Sequence, residues 1–144
     1  MTRIVKAFKR AGKSARYLAS TLVIAAGIFY LLSPPRTTSQ FFEGEWPAMA
    51  WGAMMLVAGS VIIWGIKSKI LQIEQYGMLI LGVSSGILSS AQTLVMFGDW
   101  PAVTWTRGGG TLILWALVAF AGARYFELSA EIRSSRLATL KLEG

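Results

Sequence analysis

Four apolar stretches constrain this chain more than any other feature. They cover about 17–33, 47–66, 76–97 and 109–128 of the 144 residues. Each approaches the roughly 20 residues with which a helix crosses about 30 Å of hydrocarbon. The charges inside them are Arg124 and Glu127, both at the far end of the fourth. Unpaired backbone groups are intolerable in hydrocarbon, and helices satisfy all of theirs internally. The expected fold is therefore all-α: an integral membrane four-helix bundle with helical tails at both ends. The expected divisions are a basic amphipathic cytoplasmic tail over 1–16, a four-span domain over 17–128, and a cytoplasmic tail helix over 129–144.

The cations predict orientation. Arg3, Lys6, Lys9, Arg10, Lys13 and Arg16 precede the first stretch with no acid among them. Lys67 and Lys69 follow the second stretch, and Arg133, Arg136 and Lys141 follow the fourth. The other two connections hold Arg36 and Arg107, offset by Glu43, Glu45 and Asp99. By the positive-inside rule, both termini and the 67–75 loop face the cytoplasm. Ile4, Phe8, Ala11 and Ala15 recur at helical spacing between the N-terminal cations. Two readings follow: a helix lying on anionic lipid headgroups, or a continuous extension of the first span. A nucleic-acid arm is disfavoured, since Phe8 is the one aromatic there that can stack on bases. The first span also resembles an uncleaved signal anchor, with Pro34 and Pro35 ending its helix.

Composition excludes much chemistry. The chain has no histidine and no cysteine. Imidazole acid–base catalysis, thiol nucleophiles and almost all transition-metal sites go with them. No phosphate-binding loop, dinucleotide fingerprint or nucleophile elbow is present, and Gly108–Gly110 lacks the Lys-Ser/Thr that would follow in a phosphate cradle. It reads instead as a hinge or a frayed helix start. The expectation is a protein that is not an enzyme and needs no cofactor.

An octapeptide recurs. Residues 44–51, Gly-Glu-Trp-Pro-Ala-Met-Ala-Trp, return 54 positions later as Gly-Asp-Trp-Pro-Ala-Val-Thr-Trp at 98–105, with five of eight identical. One reading is a duplicated hairpin, spans 1–2 repeated in parallel as spans 3–4. The other is convergence on what suits a helix entering the membrane: an acid, an interfacial Trp and a first-turn Pro. On both readings Trp46, Trp51, Trp100 and Trp105 form an outer aromatic belt.

Two constellations stand out. Gly82, Ser85, Ser89 and Gln92 share one stripe of the third span, and Gly82, Gly86 and Ser90 add small residues at every fourth position. Small residues let helices approach closely in lipid, and Ser or Gln can bond across the contact. The stripe serves packing within the bundle, self-association, or the lining of a wet lesion. At the opposite end, Glu74, Arg124 and Glu127 lie at one depth on the third and fourth spans. They are either an ion-pair cluster or side chains snorkelling separately.

The plan resembles small four-span membrane proteins of actinobacteriophages, some described as holin-like. The resemblance rests on Ser33-Pro34-Pro35 closing the first helix, Trp51-Gly52 opening the second, Glu74 with Gly77 opening the third, Arg107 before the fourth, and Arg124 with Glu127 closing it. It implies a phage product in the host cytoplasmic membrane and supplies no catalytic residues. The leading expectation is a holin-like protein that oligomerises and permeabilises the bilayer for lysis. Rivals are a membrane-anchored scaffold or superinfection-exclusion protein docking a phage or host partner, and a small transporter.

Overall fold

The computed structural model describes the backbone of residues 2–33, 44–98 and 105–143, and there the side chains of all but 2–11, 105–108, 139 and 141–143. These residues form four helices: α1 Thr2–Leu32, α2 Trp46–Ser68, α3 Leu71–Gly98 and α4 Trp105–Glu143. Each is long and apolar enough to cross a membrane. The described residues are all-helical, and each expected span falls on one of these helices, the first running one residue past the end of α1. The spans are shorter than the helices that carry them. With 31 and 39 residues, α1 and α4 extend about 46 and 58 Å, well beyond a hydrocarbon core. No helix boundary falls at 16/17 or 128/129, so the basic N-terminal segment continues the first helix and residues 129–143 continue the fourth.

Two local expectations change. Gly108–Gly110 lie inside α4 as helix, neither hinge nor frayed start. The 67–75 loop contracts to Lys69 and Ile70, because α2 runs to Ser68 and α3 begins at Leu71. Lys69 closes α2 in the left-handed conformation, φ 58°. The turn is held locally. Ser68 donates its hydroxyl back to the Trp64 carbonyl at 2.8 Å. The Ile70 carbonyl accepts the amides of Ile73 and Glu74 at 3.1 and 3.3 Å. Pro47 occupies the first turn of α2 as expected, where a missing N–H costs nothing. Glu45 is the N-cap residue but makes no side-chain cap bond. Of the repeated octapeptide, the second copy lies largely outside the described residues, as do Pro34, Pro35 and the acids Glu43 and Asp99.

Neighbouring helices are antiparallel and pack in chain order: α1 on α2, α2 on α3, α3 on α4. Among the described residues no other pair forms a comparable interface, so the row is open between α1 and α4. Glycine makes the first two interfaces close. A methyl placed on Gly27 would lie 2.7 Å from the Gly52 carbonyl oxygen, and one on Gly52 would lie 2.8 Å from that of Gly27. Gly59 faces Ile24 and the Ser20 carbonyl, Gly77 faces Ile62, and Gly65 meets the backbone of Glu74. Gly82 and Gly86, expected to mark a close approach, have room: a methyl would lie 3.5 Å from Ala121 and 4.0 Å from Val118. The core over these contacts holds Met55, Ile62, Met78, Leu81 and Leu128. The outer faces carry Leu18, Phe29, Trp64, Ile87, Leu94, Leu112 and Phe126, all more than 60% exposed. That exterior is apolar far beyond the isolated patches of a soluble monomer.

Candidate functional site

Glu74 sits in the first turn of α3 and is buried, 3% exposed. Its position follows from the turn: with two connecting residues, α3 starts against the end of α2, and Gly65 lets the Glu74 backbone touch the α2 backbone. The side chain then points into the gap between α1 and α4. One carboxylate oxygen, Oε1, accepts from Arg16 Nη1 at 2.7 Å and from Arg124 Nε at 3.1 Å. Arg124 Nη1 also donates to Glu127 Oε2 at 2.9 Å, one helical turn along α4. The cluster therefore holds two guanidinium groups and two carboxylates. Burying a carboxylate alone is costly, and the paired arginines offset that cost. Through Glu74 all four helices meet at one depth: Arg16 from α1, Gly65 from α2, Glu74 itself, and Arg124 from α4.

The structure thus brings Glu74, Arg124 and Glu127 together. It moves Arg16 from its expected place among the headgroup contacts into this bundle contact, because α1, packed on α2, carries Arg16 to within 2.7 Å of the carboxylate in the first turn of α3. Lys13 stays exposed, its ammonium 5.8 Å from the centre of the Tyr17 ring. The side chains of Arg3, Lys6, Lys9 and Arg10 lie outside the described residues, as does that of Arg107.

The polar stripe of α3 is consumed by packing. Ser85 and Ser89 are fully buried and Ser84 nearly so. Ser89 donates to the Ser85 carbonyl at 2.6 Å, and Thr93 donates to that of Ser89 at 2.7 Å. Gln92 accepts from the Thr111 hydroxyl of α4 at 3.3 Å, and Thr93 Oγ1 accepts the Trp115 indole N–H at 3.2 Å. Gln75 donates to Ser129 at 2.7 Å. The α3–α4 interface is therefore tied by side-chain hydrogen bonds. Ser90 points outward, exposed.

The aromatic belt is corrected in part. Trp46 is 72% exposed at the start of α2. Trp51 is not in a belt: it is buried, donates its indole N–H to the Ser84 carbonyl at 3.0 Å, and meets Tyr30 edge-on with ring centroids 4.3 Å apart. Five residues on from Trp46, it faces the neighbouring helices instead of the exterior. Trp100 and the Trp105 side chain lie outside the described residues.

Beside the cluster, a cleft of about 870 Å³ opens between α1 and α4. Gly12, Lys13, Ala15, Arg16 and Ala19 form one wall, and Phe120, Arg124, Glu127 and Glu131 the other. Gly65, Ile66, Lys69, Leu71 and Glu74 form its floor. Among the described residues no group of three His, Cys, Asp or Glu is arranged to hold a metal ion. Compared with protein-family models, curated proteins and solved structures, the chain matches none.

Proposed function

We propose that this chain is a multi-pass protein of the bacterial cytoplasmic membrane with both ends in the cytosol, and that it assembles with copies of itself to permeabilise the bilayer in the manner of a holin-like lysis protein. One observation carries the reading: four antiparallel apolar helices form an open row, so α1 and α4 each keep a long apolar edge free for a neighbouring copy. Edge-to-edge assembly of such rows is a direct route to rings or sheets of helices. The stripe that sequence alone offered as a self-association face is satisfied within one copy, so association uses the α1 and α4 edges instead.

Inducible expression in a bacterium tests this. Expected is collapse of membrane potential above a threshold level of protein, with lysis when an endolysin is supplied. Unchanged potential and viability at high expression, with and without endolysin, would refute it. Because the chain has no cysteine, single introduced thiols report orientation without background. Ser68→Cys and Ser135→Cys are expected to resist an impermeant maleimide in intact cells, and Gly44→Cys to react.

A second reading has its own support. Past the fourth span, α4 continues with Leu137 and Leu140 exposed. A membrane-anchored scaffold would dock a phage or host protein there. Truncation after Leu128 separates the two: it removes docking and leaves permeabilisation in place.

A further inference from the structure

The cleft between α1 and α4 has a polarity that neither association nor scaffolding uses. Along α4 it runs from Phe120 to Glu131, about 16 Å at the helical rise of 1.5 Å per residue. Its inner part, beside Ala19, Ile66 and Phe120, is apolar. Its mouth is charged, and the two signs are segregated. Lys13 stands on α1 and Lys69 at the α2–α3 turn, whereas Glu127 and Glu131 stand on α4. Lys13, Lys69, Glu127 and Glu131 are all exposed. Arg16, Arg124 and Glu74 at the base are already engaged with one another, and Arg124 also holds Glu127 Oε2 at 2.9 Å, although the Glu127 side chain stays 66% exposed. The mouth lies where three helices end their candidate spans, at Gly12, Ser68 and Leu71, the depth at which headgroups begin on the membrane reading above.

A ligand that matches this cleft has an apolar end, a phosphate and, a few ångströms from the phosphate, a primary ammonium. We propose that the cleft is a site for one ethanolamine phospholipid of the cytoplasmic leaflet. The phosphate lies toward Lys13 and Lys69, the ammonium toward Glu127 and Glu131, and the start of an acyl chain fills the gap that α1 and α4 leave open. A phosphatidylglycerol headgroup meets the two lysines but sets its phosphate against the α4 carboxylates with no cation of its own to offer them. A choline headgroup has the charge but no N–H to donate to them. The inference rests on the membrane reading, not on permeabilisation.

The experiment uses the full chain purified in detergent. Retention of chain-matched dioleoyl phosphatidylethanolamine, phosphatidylcholine and phosphatidylglycerol is compared by native mass spectrometry. Expected is retention of the ethanolamine lipid about fivefold above the other two, the size of one charge interaction at a membrane surface. In Glu127→Gln/Glu131→Gln that preference disappears. In Lys13→Gln/Lys69→Gln retention of all three lipids falls. Far-UV circular dichroism and a monodisperse elution profile establish that both variants fold. Equal retention of the three lipids, a preference for phosphatidylglycerol, or an ethanolamine preference that survives loss of the carboxylates overturns the proposal. Recovery of the protein in the soluble fraction of lysed cells would instead remove the membrane reading beneath it.

Discussion

The two halves of the helix row are held together by different means. Where α1, α2 and α3 cross, glycine brings backbone against backbone: Gly27 on Gly52, Gly59 on Ser20 and Ile24, Gly65 on Glu74, Gly77 on Ile62. Where α3 meets α4, the glycines have space and the contact is carried by Gln92–Thr111, Thr93–Trp115 and Gln75–Ser129. In lipid there is little hydrophobic drive between helices, so close van der Waals fit and interhelical hydrogen bonds are the two remaining sources of adhesion. This chain weights them differently: glycine fit dominates between α1, α2 and α3, where the Trp51 indole also bonds the Ser84 carbonyl, and side-chain hydrogen bonds dominate between α3 and α4. The glycine half tolerates no added volume. The hydrogen-bonded half tolerates volume but depends on particular donors and acceptors.

Glu74 belongs to both halves, and its loss should have the largest effect. Its backbone rests on Gly65 while its carboxylate holds Arg16 and Arg124. Glu74→Ala leaves two guanidinium groups facing each other without their shared acceptor. Removing one partner of a buried pair costs about 3–5 kcal/mol, and the lower figure, about 3 kcal/mol, applies because the Arg16 side chain is 25% exposed and can turn away. The measurement is a shift in the midpoint of unfolding by SDS in mixed micelles, followed by circular dichroism. A loss below about 1 kcal/mol would mean that the two halves are independent.

Next come the glycine contacts themselves. Gly65→Ala puts a methyl onto the Glu74 backbone, 2.7 Å from its Cα, and neither helix can yield by rotating a side chain. Overpacking of this kind costs about 1–3 kcal/mol, and a backbone partner places it near the top of that range. Gly52→Ala, against the Gly27 carbonyl oxygen at 2.8 Å, should cost a similar amount. The same titration checks both, and wild-type midpoints would break the distinction between the halves. On the other side of the row, Thr93→Val removes the acceptor of the Trp115 indole. Interhelical hydrogen bonds in membrane proteins average about 0.6 kcal/mol, so a small but resolvable loss is expected.

The division was only partly legible in the residues. The helices themselves could be read because long apolar runs of this length favour a helix that satisfies its own backbone, and each apolar stretch falls on one of the four helices. The first turn of α3 could not: Gln72, Glu74 and Gln75 interrupt the apolar run, although they are helical and Glu74 is buried. Gly82 and Gly86, spaced by four, look like a packing motif, whereas the glycines in close contact on α2, Gly52, Gly59 and Gly65, are spaced by seven and six. Which glycine faces a neighbour depends on how each helix is rotated about its axis. When nearly every face is apolar, hydropathy does not set that angle. Trp51 and Arg16 were misplaced for the same reason: each has a residue type at home at an interface, and each is turned inward. The signal that Arg16 is different was its place next to the first span, within reach of an acid that opens the third.

The smallest effect is the sharpest test of the comparison, because it predicts the opposite sign. Glycine within a helix costs about 0.5–1 kcal/mol relative to alanine through lost backbone entropy. At Gly65 and Gly52 that gain is overwhelmed by overlap with a neighbouring backbone. At Gly82 the added methyl would meet the Ala121 Cβ at 3.5 Å, an ordinary contact, and at Gly86 it would meet the Val118 Cγ2 at 4.0 Å. Nothing has to move, and each new methyl adds dispersion contact across the α3–α4 interface. Gly82→Ala and Gly86→Ala should therefore leave the SDS midpoint unchanged or raise it by up to about 1 kcal/mol. A loss comparable to that of Gly65→Ala would show that α3 and α4 also meet backbone to backbone, and the two halves would then be one kind of interface.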